Sequence, residues 1–213
     1  MKTDALVNLL ASGASPVRRH AIAYRYAVAI GVGVAAAILL MLGLLGVRHD
    51  LAEAIRLPMF WAKLAYAAGL AAASLLAVLR LSRPGARLDG LPAFLAAPVL
   101  GMWALAAMAL TNAEPAQRLG LLLGVTSVSC PFLIALLSIP MFVAALWAMQ
   151  GLGPTRPRLA GSAAGLLSGA IGALVYCLHC PEMEAPFIGS WYLLGMLIPA
   201  VTGALLGSRL LRW

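Results

Sequence analysis

The stretch AIAYRYAVAIGVGVAAAILLMLGLLGV, residues 21–47, decides the fold class. It carries a single charge, Arg25, close to its start. A helix needs about 20 residues at ~1.5 Å each to cross ~30 Å of hydrocarbon, so this run is long enough to span a membrane. It is also too long for the apolar part of a cleaved signal peptide, and the expectation is that it stays in the mature protein. Working outward, comparable runs recur at about 60–80, 91–111, 119–149, 159–178 and 187–208. None shows sustained strand-like alternation. A segment in lipid must satisfy its backbone hydrogen bonds internally, which favours helices. Only 10% of residues are charged and the mean hydropathy is +0.97, which rules out an ordinary soluble domain with its roughly 25% of charged residues. The fold class expected is all-α: a polytopic membrane protein with a six-transmembrane-helix bundle over residues 21–213. A cytoplasmic segment, 1–20, precedes it.

The net charge of +8 suggests nucleic acid until its placement is considered. With a cytoplasmic N-terminus, Lys2, Arg18, Arg19, Arg25, Arg80, Arg83, Arg87, Arg156, Arg158, Arg209 and Arg212 fall on the inner face. Only Arg48, Arg56, Lys63 and Arg118 fall outside. The acids run the other way, with Asp50, Glu53, Glu114, Glu182 and Glu184 outside and Asp4 and Asp89 inside. Cationic loops on the cytoplasmic side are the signature of membrane topology. The basic balance therefore reads as orientation, N-in and C-in, with lipid as a partner and no direct nucleic-acid contact.

No piece outside the spans is large enough to fold alone, so an enzyme with a soluble catalytic domain is excluded. The longest, MKTDALVNLLASGASPVRRH, residues 1–20, carries Thr3 as a helix cap and Leu6, Leu9 and Leu10 on one stripe, and Gly13 and Pro16 close it. A helix this short is marginal in water, so the stripe needs the membrane surface or a partner protein. Within the bundle, Gly161, Gly165 and Gly169, and again Gly203 and Gly207, are spaced by four, which lets helix backbones approach closely in a bilayer. Trp61, Trp191 and Tyr192 near one set of helix ends, and Tyr24, Tyr26 and Trp147 near the other, read as interfacial aromatic belts. No Asp or Glu occupies the middle of a span, and Lys63 is close enough to a helix end to snorkel. Proton- or ion-coupled transport, which needs intramembrane ionisable groups, is disfavoured.

Against this background CLHCPE, residues 177–182, is out of place. The topology puts it at the outer boundary of span five, where Pro181 ends the helix at Cys180. The third thiol, Cys130, is in TSVSCPFLIALLSIP, residues 126–140. A continuous helix over 119–149 would be ~46 Å long, so its outer turns must tilt or protrude, which lifts Cys130 toward the level of Cys180. Three readings stay open. Buried thiols are ordinary packing material. A redox pair suits an oxidising outer face, and there Cys130–Cys180 needs only neighbouring helices, whereas Cys177–Cys180 on one regular helix has Cβ atoms too far apart, ~5–6 Å against the ~3.5–4.5 Å required. A soft-metal site would use Cys130, Cys180 and His179, with Cys177 or Glu182.

The run YCLHCPEMEAPFIGSWYLLGMLIPAVTGALLGSRLLRW, residues 176–213, together with SCP at 129–131 and the opening MKTDALVNLL, resembles the NrsF-type membrane anti-sigma factors over nearly the whole chain. The resemblance implies a multi-pass inner-membrane protein, not an enzyme and needing no cofactor. Such a protein holds an extracytoplasmic-function sigma factor at the cytoplasmic face and releases it on an outside signal. It further implies that Cys130 and Cys180 respond to oxidative or heavy-metal stress, with a metal ion as a signal, and that Lys2, Thr3 and Asp4 belong to the sigma-contacting segment. Cys177 is an addition to that pattern and leaves open which pair reacts. The rivals are a membrane thiol–disulfide electron relay, which would need thiols reachable from inside, and a metal-handling or structural membrane protein.

Overall fold

The computed structural model describes residues 3, 5, 7, 12, 21–83, 85, 89–150 and 152–211. Among these every regular element is helical, and six helices are long and apolar enough to cross a membrane. We number them α1 (Ala21–Leu44), α2 (Pro58–Leu81), α3 (Leu91–Asn112), α4 (Ser129–Met149), α5 (Pro157–Tyr176) and α6 (Ala185–Leu210). Proline stands in the first turn of α2, α3 and α5, where its missing N–H costs nothing. Short helices Leu51–Ala54 and Pro115–Leu123 lie between spans.

Apolarity alone does not explain which helix is central, because all six have it. α5 is the axis, with 78% of its apolar stretch buried, whereas α3 has 11%. Glycine makes the difference. A Cβ on Gly161 would run into the carbonyl oxygen of Gly203, and one on Gly203 into that of Gly161. At Gly165 it would strike the Pro199 carbonyl oxygen, and at Gly169 the backbone of Met196. α5 and α6 therefore meet backbone to backbone along the spacing read from the sequence. On its other side Gly172 abuts the Ile134 and Ser138 backbone of α4. α1 packs on α4, where Gly33 receives Met141, and α2 packs on α5. α3 reaches the bundle through α2, with Pro98 against Gly69, and through the start of α6.

Two polar ends close the bundle. At one, the Tyr26 hydroxyl hydrogen-bonds to Ser82 Oγ at 2.6 Å, and Arg25 donates to the Trp147 carbonyl at 2.6 Å while lying 4.7 Å from the centre of that indole. The cysteines are at the opposite end.

Three expectations are corrected here. The fourth span does not run from 119 to 149. The helix Pro115–Leu123 stops at Gly124, whose φ of 53° and ψ of −160° suit glycine alone, and α4 starts afresh at Ser129. A side chain at Gly124 would also collide with Phe187 and the Glu182 carboxylate. Cys130 consequently lies in the first turn of α4. Of the aromatics read as belts, Tyr24, Trp61 and Trp147 face outward, but Tyr26 and Tyr192 are core residues. Lys63 does not snorkel. Its side chain is fully enclosed.

Candidate functional site

The site grows from the turn that joins α5 to α6. After Tyr176 the chain makes one more tight turn: His179 N–H and Cys180 N–H both donate to the Tyr176 carbonyl, at 3.0 and 2.9 Å. Pro181 then forbids further helix, and residues 181–184 run without regular structure to Pro186, in the first turn of α6. That first stretch of α6 contains a π-helical turn, Ile188–Tyr192. Such turns are rare and frequent at functional sites. Here the turn ends on Tyr192, whose ring is fully buried beside that of Tyr176, 5.8 Å between centres.

The connecting turn leaves carbonyls without helical partners, and distant elements supply them. Beyond α1, the backbone N–H of Arg48 donates to the Leu178 carbonyl at 3.1 Å and its Nη1 to the Cys180 carbonyl at 3.1 Å. From α2, Lys63 Nζ donates to the Cys180 carbonyl at 3.1 Å and the Glu182 carbonyl at 3.0 Å. His179 Nδ1 is 2.9 Å from the Gly46 carbonyl oxygen and so carries the proton. In the opposite sense, one oxygen of the Glu182 carboxylate accepts from the backbone N–H groups of Val125 and Thr126, at 2.8 and 3.1 Å, and from the Thr126 hydroxyl at 3.2 Å. Trp191 Nε1 donates to the Leu122 carbonyl at 2.8 Å, and Trp103 Nε1 to that of Gly189 at 3.0 Å. The turn is thereby tied to α1, α2, α3 and the approach to α4.

Inside this knot lie the three thiols, all buried and all free. Cys130 in α4 and Cys180 in the turn face each other within hydrogen-bonding reach, with the Tyr176 hydroxyl alongside. Cys177 is beside Cys180 and Tyr192. The Tyr192 hydroxyl has no hydrogen-bond partner of good geometry and rests against the sulfurs. The two thiols of the turn are not alike. The adjacent Cys130 S–H, followed by the Lys63 ammonium and the Tyr192 hydroxyl, draws Cys180 below the ordinary thiol range despite its burial. Burial pushes Cys177 up to about 11. At the rim, the Arg48 guanidinium grips Asp50, 2.6 Å between charged atoms, and holds that carboxyl at about 2.

The sequence-predicted residues divide accordingly. Cys130, Cys177 and Cys180 are brought together. The metal set of Cys130, Cys180 and His179 is not: among the described residues no three His, Cys, Asp or Glu side chains converge to hold an ion, and the His179 ring is committed to Gly46. Thr3 is helical and exposed, while Lys2, Asp4, Leu6, Leu9 and Leu10 lie outside the described residues. Sequence reasoning missed Lys63, Arg48, Tyr176 and Tyr192 as parts of the site. Lys63 left one signal, a cation in PMFWAKLAYAAGL, residues 58–70, with no acid within that stretch. Chemically, adjacent thiols beside a cation can join as a disulfide or share one soft ion.

Comparison with known proteins gives a consistent result. Residues 10–213 match the family model described as NrsF, negative regulator of sigma F. The chain is 62% identical over 213 residues, the full length of both, to the probable anti-sigma-F factor NrsF of Azospira oryzae. It is 43% identical over 218 aligned positions, again the full length of both, to the anti-sigma-F factor NrsF of Caulobacter vibrioides. No solved structure matches.

Proposed function

This chain belongs to the NrsF family, negative regulators of sigma F, and from that premise we propose that it is a transmembrane switch worked by the thiols Cys130 and Cys180. It is a regulator of a sigma factor, not an enzyme. In the finer reading the chain resides in the inner membrane with the thiol end outward and both termini in the cytoplasm. It holds a sigma factor of the extracytoplasmic-function class at the cytoplasmic face, through the N-terminal segment with Lys2, Thr3, Asp4, Leu6, Leu9 and Leu10. Oxidative or heavy-metal stress outside releases that factor.

The observation that carries this reading is the adjacency of Cys130 and Cys180 across two different elements. Hydrogen peroxide converts the pair to a disulfide with two molecules of water as the other product. A soft divalent ion bridges the same sulfurs with loss of two protons. Either event ties the start of α4 to the end of α5. A disulfide is worth ~2–4 kcal/mol, and allosteric coupling between sites is typically ~1–3 kcal/mol, so one bond is enough to shift a two-state bundle. The shift would reach loop 150–158 because α4 and α5 run continuously from the thiol end to it, and loop 81–90 through α2, which packs on α5.

The test is a sigma-dependent reporter in cells carrying the parent or a Cys130→Ser, Cys180→Ser double variant. The parent should be induced by peroxide and by a thiophilic metal, and the variant should remain repressed under both. Equal induction would refute the sensing role. A cysteine introduced at Glu184, exposed at the thiol end, should react with a membrane-impermeant maleimide in intact cells and not in inverted vesicles.

A further inference from the structure

Lys63 is the sixth residue of α2 and is fully buried. Its ammonium donates to the Cys180 and Glu182 carbonyls and lies 5.1 Å from the centre of the Tyr192 ring. Carbonyls and a ring face orient a cation without neutralising it. Among the described residues the one salt bridge joins Arg48 to Asp50, so no carboxylate balances Lys63. A buried charge is costly unless it is paired.

The groups around Cys180 point to the missing partner. Arg48 donates to the same Cys180 carbonyl, but its charge is matched by Asp50. The Glu182 carboxylate is turned away onto the Val125 and Thr126 amides, and His179 onto Gly46. Cys130 from α4, the hydroxyls of Tyr176 and Tyr192, and Cys177, whose thiol burial keeps protonated, complete the surroundings. The Cys180 sulfur is the neighbour whose ionisation would balance Lys63 and which also has a chemical use for the charge, since the thiolate is the nucleophile.

We propose that Lys63 is a positioning residue for the sensing thiols: it fixes the backbone of Cys180 and Glu182 and holds the Cys180 sulfur as the thiolate that reacts first, with Cys130 resolving. This rests on the reading of Cys130 and Cys180 as the reacting pair. With a peroxide, the Cys180 thiolate attacks one oxygen; an S–O bond forms, the O–O bond breaks and hydroxide leaves. The Cys130 sulfur then attacks the Cys180 sulfur, forming S–S and breaking S–O, and the hydroxyl departs as water with the Cys130 proton. The two thiols lose two electrons and the peroxide gains them. Oxidation also removes the counter-charge of Lys63. The ammonium is left unpaired in an enclosed site, which favours opening of the turn it had held and couples the chemistry to movement.

The experiment follows alkylation of Cys180 by iodoacetamide against pH in the detergent-purified full-length chain. A Cys130→Ala background removes the hydrogen bond from the neighbouring thiol, and Lys63 is left intact or changed to Met or Arg. With Lys63 intact, Cys180 should ionise below the ordinary thiol range of ~8.5. K63M should move the profile up and cut the rate near neutral pH about tenfold or more, and K63R should restore it. Superimposed profiles for Lys63 and K63M would overturn the proposal. Should K63M fail to fold, Lys63→Gln, which keeps donors for the two carbonyls but carries no charge, decides in its place: an unchanged profile overturns the proposal, and an upward move sustains it. No sigma factor enters this measurement, so it stands or falls separately from the release reading.

Discussion

α5 and α6 are joined in two ways, and the two joints behave differently. Along Gly161, Gly165, Gly169 and Gly203 the helices touch backbone to backbone, the nearest neighbour in each case being a main-chain atom. Beyond Tyr176 the same helices are connected by a turn whose carbonyls are held by long side chains from elsewhere, Lys63 and Arg48 above all. Both joints are buried, but only the second contains groups that change charge or covalent state. The difference teaches that the glycine seam makes α5 and α6 move as one body, and that the polar knot is where a chemical event can be converted into motion of that body against α1, α2 and α4.

The largest effect is expected at the seam. Gly165→Leu forces a side chain into the Pro199 carbonyl, and overpacking against backbone should cost ~3 kcal/mol or more. Thermal unfolding in detergent should show a much lower Tm, or no folded protein. Gly101→Leu on α3, where a Cβ meets nothing within 4 Å, should stay within ~0.5 kcal/mol of the parent. Equal losses at the two positions would erase the distinction between a close-packed axis and a peripheral helix.

In the knot, Glu182→Gln keeps an acceptor but loses the charge that strengthens three hydrogen bonds to Val125 and Thr126. A loss of about 1 kcal/mol is expected, with faster hydrogen exchange at those two amides and unchanged exchange in the glycine seam. Exchange that rises in both places would mean the joints are not separate. A smaller loss, about 0.5 kcal/mol, should follow Trp191→Phe, which removes only the bond to the exposed Leu122 carbonyl. Its reading is the same unfolding curve.

The smallest effect concerns pH. Arg48 holds the Asp50 carboxyl at about 2 in the folded chain, against ~3.9 when unfolded. A depressed carboxyl stabilises the fold fully above its unfolded value, and that contribution fades as pH falls toward 2. Asp50→Asn should therefore lower Tm slightly at neutral pH, where the contribution of this exposed pair is fully present, and flatten the further fall of Tm in the acid range. A variant whose Tm still falls as steeply as the parent's would remove the Arg48–Asp50 clamp from the account of the rim.

Much of this was legible in the residues. The six spans follow from length and apolarity alone, and the α5–α6 contact from glycines four apart. Pro181 marked the end of α5 within a few residues. The break at Gly124 was hidden because GLLLGV, residues 120–125, is apolar throughout, and hydropathy carries no trace of a positive φ. The Gly followed by Thr126 and Ser127 was the available signal. Lys63 looked like a snorkelling residue because its enclosure depends on a turn 117 residues away, a relation that no local pattern encodes. His179 had the right chemistry for a metal set, but its ring answers an orphan carbonyl at the end of α1. The thiols of Cys130 and Cys180 were recognisable as a pair. Their difference in surroundings was not.

The central claim is that Cys130 and Cys180 act as one switch that governs the bound sigma factor. The most direct measurement treats the detergent-solubilised complex with peroxide and follows two quantities over time: the disulfide-linked peptides by mass spectrometry, and the sigma factor still bound. The account predicts a Cys130–Cys180 linkage that appears in step with loss of the sigma factor. Release accompanied by a Cys177–Cys180 bond, or by no bond among the three thiols, would contradict it.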